Sequence, residues 1–221
     1  LRIGQLLDAL DRLNLAKDTL VIFSSDNGPA RGAPDAPLTL GYDSATGLGY
    51  GIAAAKGITG GRKGYKAALF EGGLGVPFIA RWPGKIAAGK VDKTSIFSAV
   101  DLLPTFCEIA GVKLPASYRP DGVSHVTTLK GKGNALREKP LFWKTVAPWP
   151  ARKTKPDHWV SYAVVSKNWK LVTNRNAQYV ELYNLVADPM EKTDLKEKHP
   201  TKVSELKKML TQWQGTLPAK P

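Results

Sequence analysis

Residues 19–29 are TLVIFSSDNGP, an apolar run rich in β-branched residues that ends in a group of turn-forming residues. A short apolar run bounded by turn formers is typical of a buried strand in a parallel sheet. A second run of this kind, VPFIARW at residues 76–82, is followed by Pro83 and Gly84. Apolar residues spaced three and four apart in residues 2–14 predict an amphipathic helix before the first strand. Residues 95–110 also have a helical pattern, and we expect that helix to begin near Asp101. This order of helices and strands predicts an α/β layer fold.

The second half of the chain has a different pattern. Three short runs rich in Val, Tyr, Trp and Leu, at residues 158–166, 168–173 and 178–185, are separated by turn residues and predict an antiparallel meander. Apolar residues at helical spacing from Thr201 to about Leu217 predict a helix that covers this small sheet. Prolines near residues 115–120 interrupt both patterns, and we therefore expect two domains, residues 1–118 and 119–221.

Composition excludes several classes of protein. The 221 residues include a single cysteine, so an internal disulfide framework is excluded, and no apolar run approaches the roughly 18–20 residues of a membrane span. The net charge is +13, and residues 111–221 hold 20 Lys and Arg against 9 Asp and Glu. Such a field attracts polyanions, but a solvated lysine surface explains the same composition, and the sequence leaves both interpretations open.

Two polar side chains follow the first strand. Asp26 and Asn27 place a carboxylate and an amide oxygen side by side, both of them hard donors suited to Ca²⁺ or Mg²⁺. Two protein oxygens cannot complete a Ca²⁺ shell, which takes about six to eight. A plain turn accounts equally for Asp-Asn-Gly-Pro at this position.

A cationic, glycine-rich segment precedes the second strand. Residues 60–66 are GGRKGYK, which holds three cations among three glycines. Glycines let a ligand approach the backbone closely, and ammonium groups neutralise a tetrahedral oxyanion. The spacing differs from that of a phosphate-binding P-loop, and a flexible soluble loop is the alternative.

The order of these motifs resembles that of the type I sulfatases. The stretch at residues 19–29 is similar to the calcium-binding segment of that family, and GYKAALFEGG at residues 64–73 with VPFIARWPG at residues 76–84 is similar to its glycine-lysine block. The segments VDLLPT, PDG, WKL and ELYNL follow in the same order, at residues 100–105, 120–122, 169–171 and 181–185. The resemblance extends over nearly the whole chain. Within the family, the motifs are most similar to those of arylsulfatases and N-acetylgalactosamine-6-sulfatases.

The resemblance implies a fold, an activity and a set of site residues. The fold would be an α/β alkaline-phosphatase-like sandwich followed by a small α+β domain with an antiparallel sheet and a C-terminal helix. The activity would be hydrolysis of the sulfate ester of a sulfated small molecule or glycan. Asp26 and Asn27 would be ligands of a Ca²⁺ ion, with Mg²⁺ less typical of the family. Lys66, five residues before Glu71, would be the catalytic lysine that contacts the sulfate, and Lys63 stands where many members carry a substrate-binding arginine.

The sequence departs from the family at two points. No Cys/Ser-x-Pro/Ala-x-Arg motif, the source of the formylglycine nucleophile, occurs in the 221 residues. Gly75 also stands where the family carries an arginine after Glu-Gly-Gly. The resemblance therefore implies that the chain is the C-terminal portion of a sulfatase, that its partner is the N-terminal half of the same protein, and that the chain alone is inactive.

Two other functions remain open from the residues. A phosphate or phosphonate ester is also a tetrahedral oxyanion, so a hydrolase of the same superfamily acting on such an ester would use similar residues. A non-catalytic polyanion-binding module would instead use the basic second half, and would show salt-sensitive binding without dependence on a divalent cation. We expect neither a specific nucleic-acid partner nor a membrane span.

Overall fold

The computed structural model describes residues 2–29, 58–132, 137–145 and 160–218. The chain forms two compact units, each built from two segments: Leu1–Ser24 with Pro77–Lys139, and Ser25–Val76 with Pro140–Pro221. Each unit combines residues from both sides of the boundary expected between residues 118 and 119, and that boundary stays a prediction.

Eleven regular elements are present among the described residues. The helices are α1 (Arg2–Arg12), α2 (Glu71–Leu74), α3 (Leu102–Ile109), α4 (Val126–Leu129) and α5 (Pro200–Gln214). The strands are β1 (Val21–Ser24), β2 (Phe78–Arg81), β3 (Leu141–Lys144), β4 (Tyr162–Ser166), β5 (Trp169–Thr173) and β6 (Val180–Asn184). None of the helices in these ranges combines the length and the apolar character that crossing a membrane requires.

The first unit contains the two strands expected from the apolar runs, but they pair differently. Strand β1 runs antiparallel to β2, with Val21 opposite Arg81 and Ser24 opposite Phe78. The prediction of buried parallel strands was therefore wrong for this pair, in which Phe23 and Ile79 are largely exposed. An apolar run indicates a strand, but the direction of its neighbour depends on the chain connection, which the run does not encode.

The helix predicted to begin near Asp101 is confirmed. A short 3₁₀ turn over Ala99–Asp101 leads into α3, and Pro104 lies in its first turn, where a missing N–H breaks no helical hydrogen bond. Gly111 follows the helix with a φ of 67°, the left-handed conformation that glycine adopts at helix ends. The sequence therefore gives both ends of this helix to within a few residues.

A buried ion-pair cluster stabilises the first unit around Asp101. Arg137 Nη1 lies 2.7 Å from each carboxylate oxygen of Asp101, and the Nε2 atom of His125 lies 3.4 Å from Oδ2. Burial would raise the pKa of Asp101, but His125, Arg137 and the backbone N–H groups of Val123 and Ser98 outweigh it and lower the pKa to about 2. The carboxylate is therefore charged in the folded protein at neutral pH.

We expect Asp101→Asn to destabilise the full-length protein by about 2 kcal/mol at pH 7, the order implied by this pKa difference. Because the folded-state pKa lies below the unfolded value, the contribution is complete above about pH 4 and is lost as the pH falls toward 2. Urea unfolding at pH 7, 4 and 3 measures this difference, with the exposed Asp121→Asn as the matched control. A stability difference that grows as the pH falls would contradict the prediction.

The second unit contains the predicted antiparallel meander. The three predicted runs form β4, β5 and β6, which pair in sequence order, and β3 adds a fourth strand beside β4. The sequence did not reveal β3, because its four residues, LFWK, carry no clear alternation and follow Pro140. The predicted C-terminal helix is confirmed as α5.

The sheet β3–β6 buries both of its faces. Alternate residues of the strands pack against Leu206 and Leu210 of α5 on one face. On the opposite face, the intervening residues pack against Leu69 and Phe70, which follow the glycine-rich segment, residues 60–66, in the chain. These two residues thus attach the chain after the glycine-rich segment to the sheet face opposite α5.

Candidate functional site

The structure brings together the two segments that the sequence singled out. The N–H group of Gly28 donates to the carbonyl oxygen of Gly73 at 2.8 Å, and the N–H group of Lys66 donates to the carbonyl oxygen of Pro29 at 2.9 Å. Both hydrogen bonds lie within the second unit. Asp26 and Asn27 therefore belong to a turn that is held directly against the loop of Lys66.

Glycine is required where these segments meet. A Cβ atom on Gly28 would lie 1.9 Å from the carbonyl oxygen of Gly72, and one on Gly72 would lie 2.1 Å from the carbonyl oxygen of Gly64. Such distances are far inside van der Waals contact with atoms of the backbone, which cannot move aside as a flexible side chain can. The glycines of DNGP and EGG thus allow backbone to pack directly on backbone.

Asp26 and Asn27 offer two oxygen donors at the surface of this turn. Asp26 is exposed and Asn27 is half-buried. The amide nitrogen of Asn27 donates to the carbonyl oxygen of Gly28 at 2.9 Å, which leaves Oδ1 as the atom available to a cation. No group of three or more His, Cys, Asp or Glu side chains suited to a metal exists among the described residues. The donor set fits part of a Ca²⁺ or Mg²⁺ shell.

Lys66 presents an exposed ammonium group beside this turn. Its side chain forms no ion pair or hydrogen bond with the described residues. The residue that follows it, Ala67, has a φ of 72°, a left-handed conformation that is unfavourable for a residue with a Cβ atom. The backbone of Lys66 is thus fixed while its charge remains available to an anion.

The ammonium of Lys63 is engaged with the sheet instead. Its Nζ atom lies 2.6 Å from Oε2 of Glu181 and 3.0 Å from the hydroxyl of Tyr183, and 4.3 Å from the centre of the Phe70 ring. The Tyr183 hydroxyl donates to the same Glu181 carboxylate. Burial and the charge of Glu181 raise the pKa of Tyr183, so the hydroxyl remains protonated. The ammonium of Lys63 is thus paired within the sheet side of the loop, whereas Lys66 is exposed.

A buried triad, which the sequence analysis missed, lies beneath the loop. The Nζ atom of Lys170 is 2.8 Å from Oε1 of Glu71 and 2.9 Å from Oε1 of Glu191. Glu191 also accepts a hydrogen bond from the N–H group of Glu71 at 2.6 Å through Oε2. Burial raises the pKa of Glu191, although the charge of Lys170 opposes the rise. The available signal was a lysine in the middle of the apolar strand WKLVT, since a fully buried lysine is rare unless paired.

The triad also accounts for Gly75, where the family pattern is broken. A Cβ atom there would lie 2.8 Å from the carbonyl oxygen of Glu71 and 2.8 Å from its Oε2 atom. With the Glu71 side chain directed to Lys170, a larger residue at position 75 would be crowded. Gly75 therefore fits the arrangement found in this chain.

Comparison with known families gives two overlapping matches. The family described as Sulfatase matches residues 2–112, and the family described as N-sulphoglucosamine sulphohydrolase, C-terminal, matches residues 62–216. The second match includes residues 62–66 of the glycine-rich segment, the meander and α5. Together the matches extend over both compact units.

Individual proteins show the same similarity. An N-acetylgalactosamine-6-O-sulfatase of Bacteroides thetaiotaomicron is 29% identical to the chain. The matched region is 94% of the chain and 39% of that protein. A solved structure from a glycosaminoglycan-metabolism locus of the same organism is 27% identical, with a TM-score of 0.67 over 96% of the chain and 42% of the other. A protein solved with its substrate D-glucosamine-2-N,6-O-disulfate is 24% identical, with a TM-score of 0.63 over 96% of the chain and 37% of the other. These structures confirm the α/β alkaline-phosphatase-like fold, and the chain spans about two fifths of each protein.

Proposed function

The chain belongs to the sulfatase family, and from this premise we propose that it forms the C-terminal part of an enzyme that hydrolyses a sulfate ester. One observation carries the proposal: two backbone hydrogen bonds hold the turn of Asp26 and Asn27 against the loop of Lys66. Paired oxygen donors next to an exposed ammonium group, which has no partner among the described residues, are what an anionic ester site requires. Neither feature alone would distinguish a site from a turn or a soluble loop.

A sulfated sugar is the substrate class that we propose. The similar Bacteroides protein carries the name N-acetylgalactosamine-6-O-sulfatase, and the similar solved structure comes from a locus for glycosaminoglycan metabolism. The excess of Lys and Arg in residues 111–221 favours a polyanionic substrate, because a positive field raises the rate at which anions arrive. A sulfated glycan offers both a sulfate ester for the site and further negative charges that this positive field attracts.

We assign the direct contact with sulfate to Lys66. Its ammonium is exposed beside the turn, whereas that of Lys63 is paired with Glu181. As the S–O bond breaks, the sulfate oxygens and the leaving oxygen gain charge, and a fixed ammonium stabilises that charge more than it stabilises the ground state. Lys63 then acts by holding the loop, and its role as a second substrate contact stays a prediction.

Asp26 and Asn27 would hold the Ca²⁺ ion that the family resemblance implies, through the carboxylate and through Oδ1. A bound divalent cation would supply positive charge for the sulfate oxygens. Its remaining ligands and the formylglycine nucleophile would come from the N-terminal half of the same protein, because the 221 residues contain no Cys/Ser-x-Pro/Ala-x-Arg motif.

The full-length protein should hydrolyse p-nitrophenyl sulfate and 6-sulfated N-acetylgalactosamine with multiple turnovers. Activity on p-nitrophenyl phosphate should be lower by at least about tenfold in kcat/KM, on the scale of the discrimination that a fitted site achieves. Steady-state kinetics with matched sulfate and phosphate esters measure this. A preference for the phosphate ester would favour the other hydrolase of the superfamily, and salt-sensitive glycan binding without turnover would favour the polyanion-binding module.

The 221-residue chain alone is the control for the source of the nucleophile. It should give no turnover above buffer, because it lacks the motif from which formylglycine forms. Steady hydrolysis by the purified chain would overturn the assignment of the nucleophile to another part of the protein.

A further inference from the structure

The buried triad of Lys170, Glu71 and Glu191 connects the sheet to the proposed site. We propose that Lys170 is a positioning residue, which holds the loop of Lys66 and the turn of Asn27 in register through Glu71 and Glu191. The placement of the loop follows from the structure itself, whereas its consequence for catalysis rests on the function proposed above.

The burial of Lys170 indicates a role in specifying geometry. Its ammonium is fully buried in strand β5, between one fully buried carboxylate and one that is partly exposed. A buried ion pair often adds little stability beyond what apolar residues of the same volume would give, while removal of one partner leaves an uncompensated charge. Two carboxylates placed on one buried ammonium define a specific geometry, so the triad fits a device that fixes the position of Glu71.

Short contacts lead from the triad to the turn of Asp26 and Asn27. Glu71 is held twice, by its carboxylate on Lys170 and by its N–H group on Glu191. The next residue, Gly72, donates its N–H group to the carbonyl oxygen of Lys63 at 2.7 Å. Gly73 then accepts the hydrogen bond from Gly28, the residue after Asn27. A shift of Glu71 therefore moves both segments of the site.

The second ionic anchor of the loop is weaker than this one. The side chains of Lys63 and Glu181 are 27% and 22% exposed, whereas that of Lys170 is fully buried. Solvent screens the first pair much more than the second. The backbone of Glu191 also has a φ of 55°, an unfavourable conformation that persists where the surrounding structure enforces it. Lys170 is thus the residue whose loss should release the loop most.

Amide hydrogen exchange in the full-length protein tests the placement without reference to activity. In Lys170→Met, the amides of Gly28, Lys66 and Gly72 should exchange about tenfold faster or more, because local opening of the loop no longer breaks the buried ion pairs. The matched control is Leu206→Ala, which removes packing from the α5 face of the same sheet. It should leave these three amides within about threefold of the wild type, since local opening does not depend on that face.

Lys170→Arg separates charge from packing. It retains the positive charge, so it should restore at least part of the protection of these amides, while Lys170→Met should not. If Lys170→Met does not fold, the charge-balanced double variant Lys170→Met with Glu191→Gln removes the uncompensated buried charge and replaces it in the exchange measurement. Unchanged exchange at Gly28 and Lys66 in the variant that folds would overturn the proposal.

A double-mutant cycle on kcat/KM tests the catalytic consequence. The loss in kcat/KM caused by Lys170→Met is expected at about tenfold or more. It should be smaller when Lys66 is already alanine, because only the part that acts through the turn of Asn27 then remains. A variant that merely lowers the folded fraction multiplies its effect in both backgrounds, as Leu206→Ala should. Fully multiplicative losses for Lys170→Met and Lys66→Ala would overturn the positioning role.

Failure of the two proposals can be told apart. If the protein does not hydrolyse sulfate esters, the proposed function fails, and the exchange rates still decide whether Lys170 holds the loop. If sulfate esters are hydrolysed and Lys66→Ala is deleterious, but Lys170→Met changes neither exchange nor the cycle, only the positioning role fails.

Discussion

Asp26→Ala in the full-length protein is expected to lower kcat/KM for a sulfate ester by about 10³-fold or more, to the limit of detection. The substitution removes the only carboxylate of the pair, and with it the anionic ligand that this chain would give to a divalent cation. If Asp26 holds a cation, as proposed, the substitution would also remove positive charge from the point where the transition state gains negative charge. Steady-state kinetics with excess Ca²⁺ measure the effect.

The thermal stability of the same variants gives a second measurement that does not depend on activity. Saturating Ca²⁺ should raise the Tm of the wild-type protein relative to EDTA, because a ligand that binds only the folded state stabilises it. In Asp26→Ala this shift should be lost. Asp26→Asn keeps an oxygen donor without its charge, so it should retain part of the shift.

Glu197→Ala is the matched control for Asp26→Ala. Glu197 is an exposed carboxylate of the same compact unit, ahead of α5 in the chain. Its loss should change neither kcat/KM nor the Ca²⁺-dependent shift in Tm. An equal shift in wild type and in Asp26→Ala would contradict the assignment of Asp26 as a ligand.

Sequence patterns predicted those parts of the fold that depend on local periodicity. The meander, the C-terminal helix and the helix that begins near Asp101 all follow from apolar spacing and turn residues. The direction of β1 relative to β2 did not follow, because 53 residues lie between Ser24 at the end of β1 and Phe78 at the start of β2, and the local pattern does not encode how strands meet. Strand β3 was missed because LFWK shows no clear alternation and directly follows Pro140.

The same distinction applies to the site. Motif resemblance selected Asp26, Asn27 and Lys66, and the structure then placed their segments in hydrogen-bond contact. The motif resemblance could not show how the surroundings of Lys66 and Lys63 differ. The partner of Lys63 is Glu181, which lies 118 residues further along the chain. Lys170 was missed although a lysine within the apolar run WKLVT was a signal, because its partners Glu71 and Glu191 lie far from it in the sequence.

Lys66→Ala in the full-length protein is expected to lower kcat/KM by about 10²–10³-fold, the usual cost of losing one fixed donor to a developing oxyanion. Its exposed ammonium is not paired among the described residues, so removal should cost little stability. Lys66→Arg keeps the charge but changes its shape and reach, and should recover only part of the loss. The fall should appear mainly in kcat, because the contact strengthens in the transition state.

Lys63→Ala is the matched comparison, since it removes the same charge three residues earlier in the same loop. Its ammonium pairs with Glu181 and Tyr183, so its loss should lower the free energy of unfolding by about 1 kcal/mol and kcat/KM by no more than about tenfold. If Lys63 also steers the anion from the rim, its kinetic cost will shrink at high salt, whereas that of Lys66→Ala will not, because screening weakens long-range attraction more than a close contact. Kinetics of both variants at low and high ionic strength, with urea unfolding, separate these contributions. A severe loss of kcat/KM in Lys63→Ala together with a mild loss in Lys66→Ala would reverse the two assignments. The ammonium that contacts the sulfate would then be that of Lys63, which pairs with the sheet.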